Sequence, residues 1–223
     1  MNKNNKKLLA KILAVALGVT GIAILIATVY PIASYEALSR QKFPTLLSPI
    51  SEQKSNVAND SDYTKASNWF VGTDKTKFNS KVAYYTLSIP KLKIDSATVA
   101  IGGEELKDYL IQYPGTALPG KRGNAVIFGH SILPRFYNPK EYISIFSLLP
   151  TLERGDEVTI NYDGIEYFYR VESIFEVFPT DIQVLEQDDS DSFLTLVTCT
   201  PPGDPRKPKR LIVRARVVRV NES

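Results

Sequence analysis

Cysteine and histidine each occur once in this 223-residue chain, as Cys199 and His130, so any chemistry needing a thiolate or an imidazole must use these positions. A single cysteine forms no intrachain disulfide and cannot build a multi-cysteine metal site. A thiol with a reference pKa of ~8.5 is weakly ionised at neutral pH, and an adjacent imidazolium favours the thiolate. Such a pair supplies a nucleophile and a general acid for acyl transfer.

Both residues end apolar runs. In Gly123-Asn-Ala-Val-Ile-Phe-Gly-His130, the side chains of Asn124, Val126, Phe128 and His130 alternate onto one face of an expected strand, beside the small Gly129. In Phe193-Leu-Thr-Leu-Val-Thr-Cys199, Phe193, Thr195, Val197 and Cys199 do the same, and Pro201-Pro202-Gly203 stops the strand. Taken alone, a lone histidine is more often a surface or satisfied core residue, and a lone cysteine an inert small hydrophobe. Two of them at strand exits before proline-bearing loops fit a site built on a rigid scaffold. A fixed positive charge follows at Arg210, which opens the run Leu211-Ile-Val-Arg-Ala-Arg-Val-Val. If the two strands form a hairpin, Arg210 lies close to opposite Cys199 and could hold a substrate carbonyl and the developing oxyanion. Arg214 and Arg216 share its nominal face, so parity alone does not select it. Arg206, Lys207 and Lys209 read as solvated loop charge.

The positioning elements are mostly strands. Candidates are Val82–Ile89, Ala97–Ala100, Ala125–Phe128, Glu157–Tyr162, Glu166–Phe178, Ser192–Thr198 and Leu211–Val220, with Asp163-Gly164 as a hairpin turn. Short helical or irregular pieces fit Leu106–Leu110 and Ile145–Leu149. Many strands, few helices and no internal repeat argue for a closed or nearly closed all-β barrel, residues 81–223. Before it, residues 31–80 read as a polar linker in which Trp69-Phe70-Val71 is the one strong apolar cluster, expected to pack back on the domain rather than to serve as a lid. Residues 8–30 read as a membrane anchor. Ile12 to Val29 is 18 uncharged residues, and 18–22 residues at ~1.5 Å each span roughly 27–33 Å. A cleaved signal peptide is the alternative. Lysines in the tail 1–7 and Lys11 precede the span, which predicts a cytoplasmic N-terminus and an extracytoplasmic domain on a single-pass anchor. No second apolar segment follows the barrel, and one anchor is expected.

Several stretches, in order, resemble the sortase family: Leu87-Ser-Ile-Pro-Lys-Leu-Lys-Ile, Tyr113-Pro-Gly-Thr-Ala-Leu-Pro-Gly120, Gly123–His130, Leu148–Leu152 into Arg154-Gly-Asp156, Thr195-Leu-Val-Thr-Cys199, and Arg210-Leu-Ile-Val-Arg214. The resemblance implies an eight-stranded sortase-type β-barrel with short helices behind one transmembrane helix, outside the membrane of a Gram-positive-type cell. It implies catalysis by His130, Cys199 and Arg210: Cys199 would attack the Thr–Gly carbonyl of an Leu-Pro-x-Thr-Gly-like sorting signal, and His130 would protonate the leaving amine. A backbone N–H near Thr200 would assist Arg210, and Thr198 would shape the pocket, although it also reads as an ordinary strand residue. Implied partners are surface proteins with a C-terminal sorting signal and an amine of a peptidoglycan precursor or a pilin-type lysine. An Asp-Pro-aromatic lid, common in pilin-polymerising members, is absent, and the reading leans to a housekeeping or class D/E-like enzyme. No cofactor is expected. Some members bind calcium, but Glu186, Asp188, Asp189 and Asp191 read as a solvated loop.

The net charge of +3 includes Lys3, Lys6, Lys7 and Lys11, without which residues 12–223 carry −1. The basic balance therefore belongs to a tail, and nucleic acid is not expected as a partner. Two rivals stay open: a cysteine hydrolase using the same pair, and a non-catalytic membrane-tethered binding barrel.

Overall fold

The computed structural model describes residues 3–44, 63–70, 83–206 and 208–218. Helix α1 runs from Lys3 to Lys42 with Pro31 inside it. It is long and apolar enough to cross a membrane. Its two halves behave differently. Residues 11–27 are exposed all round, as expected of an apolar helix whose solvent is not water. From Thr28 onward Ile32, Tyr35, Glu36, Ser39 and Phe43 turn one face, at helical spacing, towards the barrel. The tyrosine hydroxyl of Tyr35 donates to Glu176 Oε1 at 3.0 Å, and Lys42 Nζ donates to the Pro150 carbonyl at 2.9 Å. Residues 31–42, read from sequence as the start of a linker, are thus a helical support for the domain. Residues 45–62 and 71–82, with Val71 and the first residue of the Val82–Ile89 strand, lie outside the described residues.

Eight strands close into a barrel: β1 (Tyr84–Ile89), β2 (Ile94–Ile101), β3 (Leu110–Gln112), β4 (Gly123–Phe128), β5 (Glu157–Tyr162), β6 (Ile165–Val177), β7 (Ser192–Thr200) and β8 (Lys209–Val217). Their order is β1-β2-β3-β4-β7-β8-β6-β5, with β1 pairing back to β5. Patterning alone marked seven of these. The eighth, β3, is three residues long and parallel to β2, too short to show a period of two, and its first residue, Leu110, ends the stretch that reads from sequence as helical or irregular. Asp163-Gly164 turns β5 into β6, both residues with positive φ (53° and 75°), which Gly adopts freely and Asp tolerates.

Strands β4 and β7 pair in parallel and are buried along their whole length, which explains their near-continuous apolar runs. The inward faces of Leu194, Leu196, Leu211 and Val213 fill the barrel with Leu87, Ile127 and Ile160. The alternate, outward positions Val126, Phe128, Val197, Cys199 and Ile212 form a second cluster, roofed by Trp69 and Phe70. Two polar side chains in this buried pair answer each other: Thr195 Oγ1 donates to Asn124 Oδ1 at 2.7 Å, and Asn124 Nδ2 donates to the Val184 carbonyl at 3.0 Å.

Candidate active site

The strand-exit positions converge on the outer face of the barrel. Register pairs Cys199 on β7 with Arg210 on β8, across an antiparallel ladder. On the other side of β7 the parallel ladder with β4 ends at Phe128 opposite Val197, and the chain continues alongside, with Gly129 N–H donating to the Val197 carbonyl at 3.1 Å. Carried on by two residues, that register sets His130, just past the end of β4, level with Cys199 near the end of β7. The Ser131 hydroxyl then donates to the Cys199 carbonyl at 2.7 Å, and the Thr198 hydroxyl to the Gly129 carbonyl at 2.8 Å. These two bonds fasten the His130 backbone to the Cys199 backbone, which fixes both side chains relative to one another. Ser131 was not anticipated from sequence, because serine after histidine carries no distinguishing pattern.

Register also separates the three arginines of β8. Arg214 lies opposite Thr195 and Arg216 opposite Phe193, and both guanidinium groups stack on the Phe193 ring at 5.6 and 5.2 Å. Arg210 alone of the three is level with Cys199 and is fully buried. Thr198 and Thr200 are also buried, on the alternate parity from Cys199, so the Thr198 hydroxyl is spent on the strand beside it.

The pair and the arginine are covered. Trp69 is completely buried, its ring stacked on Phe128 at 5.3 Å and tilted against His130 at 5.9 Å. Arg210 Nε donates to the Trp69 carbonyl at 3.2 Å, and its guanidinium lies 5.4 Å over the Trp69 ring and 5.3 Å over that of Tyr63. The cover is held from below as well: Trp69 Nε1 donates to the Tyr63 carbonyl at 2.9 Å, and Lys65 bridges to Glu105. Trp69 and Phe70 pack back on the domain as the sequence suggests, but the expectation that they do so rather than cover the site does not hold, because the surface under them is the one holding His130, Cys199 and Arg210. With exposures of 5%, 2% and 0%, the three side chains are closed to a peptide in this conformation.

Gly129 has a steric reason. A methyl group there would meet Phe146 Cδ2 at 2.5 Å and Leu110 Cδ2 at 2.6 Å, both packed core groups. The position is crowded by core side chains. Gly129→Ala is expected to destabilise the barrel by about 1–3 kcal/mol and to displace His130, seen as a lower melting temperature together with slower Cys199 chemistry.

Comparison with known proteins agrees with this architecture. A family model described as Sortase domain matches residues 87–218, which contain every strand-borne residue of the site. The chain belongs to the sortase family. Sortase A of Streptococcus agalactiae serotype III (strain NEM316) is 26% identical over 149 residues, covering 66% of this chain and 58% of that relative's length. The sortase D5 transpeptidase of Clostridium perfringens superposes with a TM-score of 0.53 at 26% identity, covering 64% of this sortase and 83% of that chain. Sortase A from Corynebacterium diphtheriae gives 0.54 at 28% identity, covering 65% and 64%. Sortases are cysteine transpeptidases as a family, and the one cysteine of this chain lies within the matched domain.

The acidic loop before β7 is occupied with its own backbone. A hydrogen bond from the Ser190 side chain, helped by the Ser190 N–H that donates to Asp188 Oδ1 at 2.9 Å, holds the Asp188 carboxyl below the usual range, and Asp191 Oδ1 accepts from the Ser192 N–H. Among the described residues no group of three or more His, Cys, Asp or Glu side chains is arranged to hold a metal ion.

Proposed function

We propose that this sortase cuts an Leu-Pro-x-Thr-Gly-like sorting signal between Thr and Gly and transfers the acyl group to an amine. The Cys199 thiolate attacks the threonine carbonyl carbon, and the C–N bond to glycine breaks. His130, as imidazolium, gives its proton to the leaving amine, and a thioester on Cys199 remains. An acceptor amine then attacks the thioester, passes a proton to the imidazole, and leaves with the acyl group as a new amide. Arg210 orients the substrate carbonyl and stabilises the oxyanion of both tetrahedral intermediates, with the Thr200 backbone nearby. The observation that supports this reading is that Cys199 is paired in register with the buried Arg210 while the backbone beside His130 is hydrogen-bonded to that of Cys199. The donors are surface proteins bearing a C-terminal signal. The acceptor is an amine of a peptidoglycan precursor or a pilin-type lysine. Thr198 contributes by holding the Gly129 carbonyl beside His130.

Helix α1 is the single anchor in this reading, with the lysine-bearing N-terminus in the cytoplasm and the barrel outside. The arrangement needs no cofactor, since the nucleophile, acid and oxyanion group all come from the chain.

The test uses the full chain in detergent with an Leu-Pro-x-Thr-Gly peptide library and oligoglycine or diamine acceptors, followed by mass spectrometry. An acyl adduct on Cys199 and Thr–amine products are expected. Water-derived products alone, with every acceptor present, would identify a hydrolase, and no adduct with any peptide would overturn the enzyme assignment.

A further inference from the structure

We infer that the catalytic barrel rests on the lipid surface, with the loop after His130 seated in the headgroup layer of the membrane that α1 crosses. The argument starts at Pro31. In an α-helix the carbonyl of residue 27 accepts from the N–H of residue 31, and proline has none. Pro31 therefore leaves the Ala27 carbonyl without its helical donor, at a depth where an unpaired carbonyl is costly. Arg135 Nη1 donates to that same oxygen at 2.9 Å. Arg135 belongs to the short 3₁₀ turn Pro134–Phe136, five residues beyond His130.

Ala27 lies inside the uncharged run Ile12–Val29, near its outer end. A barrel side chain bonded to its carbonyl must reach the level at which the helix leaves the bilayer. Phe136, beside it, is 58% exposed, with the Arg135 guanidinium 4.6 Å over its ring. An exposed aromatic next to an arginine suits the interface, where the ring enters the acyl boundary and the guanidinium stays among phosphates. A second element meets α1 at this level. Pro201, Pro205 and Pro208 of the β7–β8 loop face Val29, Ile32 and Ala33 across a cleft of about 660 Å³. Lys209, at the end of that loop, closes the contact by pairing with Glu36 at 3.4 Å and Glu176 at 3.1 Å. The loops that follow His130 and Cys199 thus both touch the emerging helix. The occupant of this face is a phospholipid surface, because the span that continues into it sits in the same surface.

The inference rests on reading α1 as a membrane span, and the experiment separates the two. Full-length protein in the Cys199→Ala background is labelled with a fluorophore at Phe136→Cys, Val19→Cys or Ile165→Cys and placed in phosphatidylcholine/phosphatidylglycerol vesicles containing doxyl lipids. Ile165 is exposed at the far end of the 13-residue β6, whose other end carries Glu176. Quenching of Val19 by deep and of Phe136 by shallow doxyl groups, with Ile165 unquenched, is the expected result. Arg135→Ala and Pro31→Ala, which remove the donor or restore the helical N–H, are each expected to lower quenching at Phe136 about twofold. Quenching at Val19 with Phe136 as unquenched as Ile165 overturns the seating alone. No quenching at Val19 overturns the span and the seating together.

Discussion

Cys199→Ala is expected to abolish the acyl adduct and to lower peptide transfer by ~10⁴-fold or more, because no other thiol exists to form the thioester. The change removes one sulfur from the outer cluster, so a stability cost of about 1 kcal/mol is expected, and the melting temperature separates a chemical loss from an unfolded barrel. His130→Ala is expected to match it within an order of magnitude, since nucleophile and acid act as a unit and their losses do not add. Arg210→Lys separates the catalytic role proposed for this side chain from its packing role against Trp69 and Tyr63. Lysine keeps a charge but loses the fork that reaches a carbonyl, so transfer should fall about 10²-fold. It also loses the Nε bond to the Trp69 carbonyl and the stacking on Trp69 and Tyr63, so the cover should loosen. Faster alkylation of Cys199 alongside slower transfer is the expected pattern. A fall in both would mean that Arg210 serves mainly to hold the barrel together.

Trp69→Ala is expected to raise the rate at which a small alkylating reagent reaches Cys199 by ~10²-fold. The ring is fully buried between Phe128, His130 and Arg210, and truncating a buried tryptophan costs about 3–5 kcal/mol of packing. That loss falls on the docked state of the segment 63–70, and each 1.4 kcal/mol changes the open fraction about tenfold. Peptide turnover should rise with it if undocking limits entry. Trp69 is the only tryptophan, so its emission reads the cover directly, and a red shift on adding a sorting-signal peptide is expected. An unchanged alkylation rate in the variant, with the barrel melting as before, would show that reagent reaches Cys199 by another route.

The site was more legible in the sequence than the fold that holds it. His130 and Cys199 stood out because each is the sole residue of its kind at the end of an alternating apolar run, and a period of two puts them on a predictable face. Parity alone did not separate Arg210, which the resemblance pointed to, from Arg214 and Arg216, because parity is silent about register; in the structure Arg210 is the one of the three paired with Cys199. Strand β3 was hidden by its brevity. The cover was half legible: a lone Trp-Phe pair in a polar stretch signals packing, but nothing local says where a segment 60 residues upstream of His130 will land. The helical support after Pro31 was hidden by the proline itself, which reads as a stop unless a distant donor such as Arg135 is known.

Closure of the barrel has a consequence for how the proposed peptide substrate would be recognised. Among the described residues every strand has a neighbour on both sides, so no strand offers its whole edge for an extended peptide to join as an extra strand. Main-chain hydrogen bonding, which recognises any extended sequence, can then supply little of the affinity. Discrimination falls to side chains and loops around the Cys199 face, where one substitution can retune the preferred signal while the hydrogen-bonded cylinder beneath stays intact. The same closure protects molecules crowded together from pairing strand to strand.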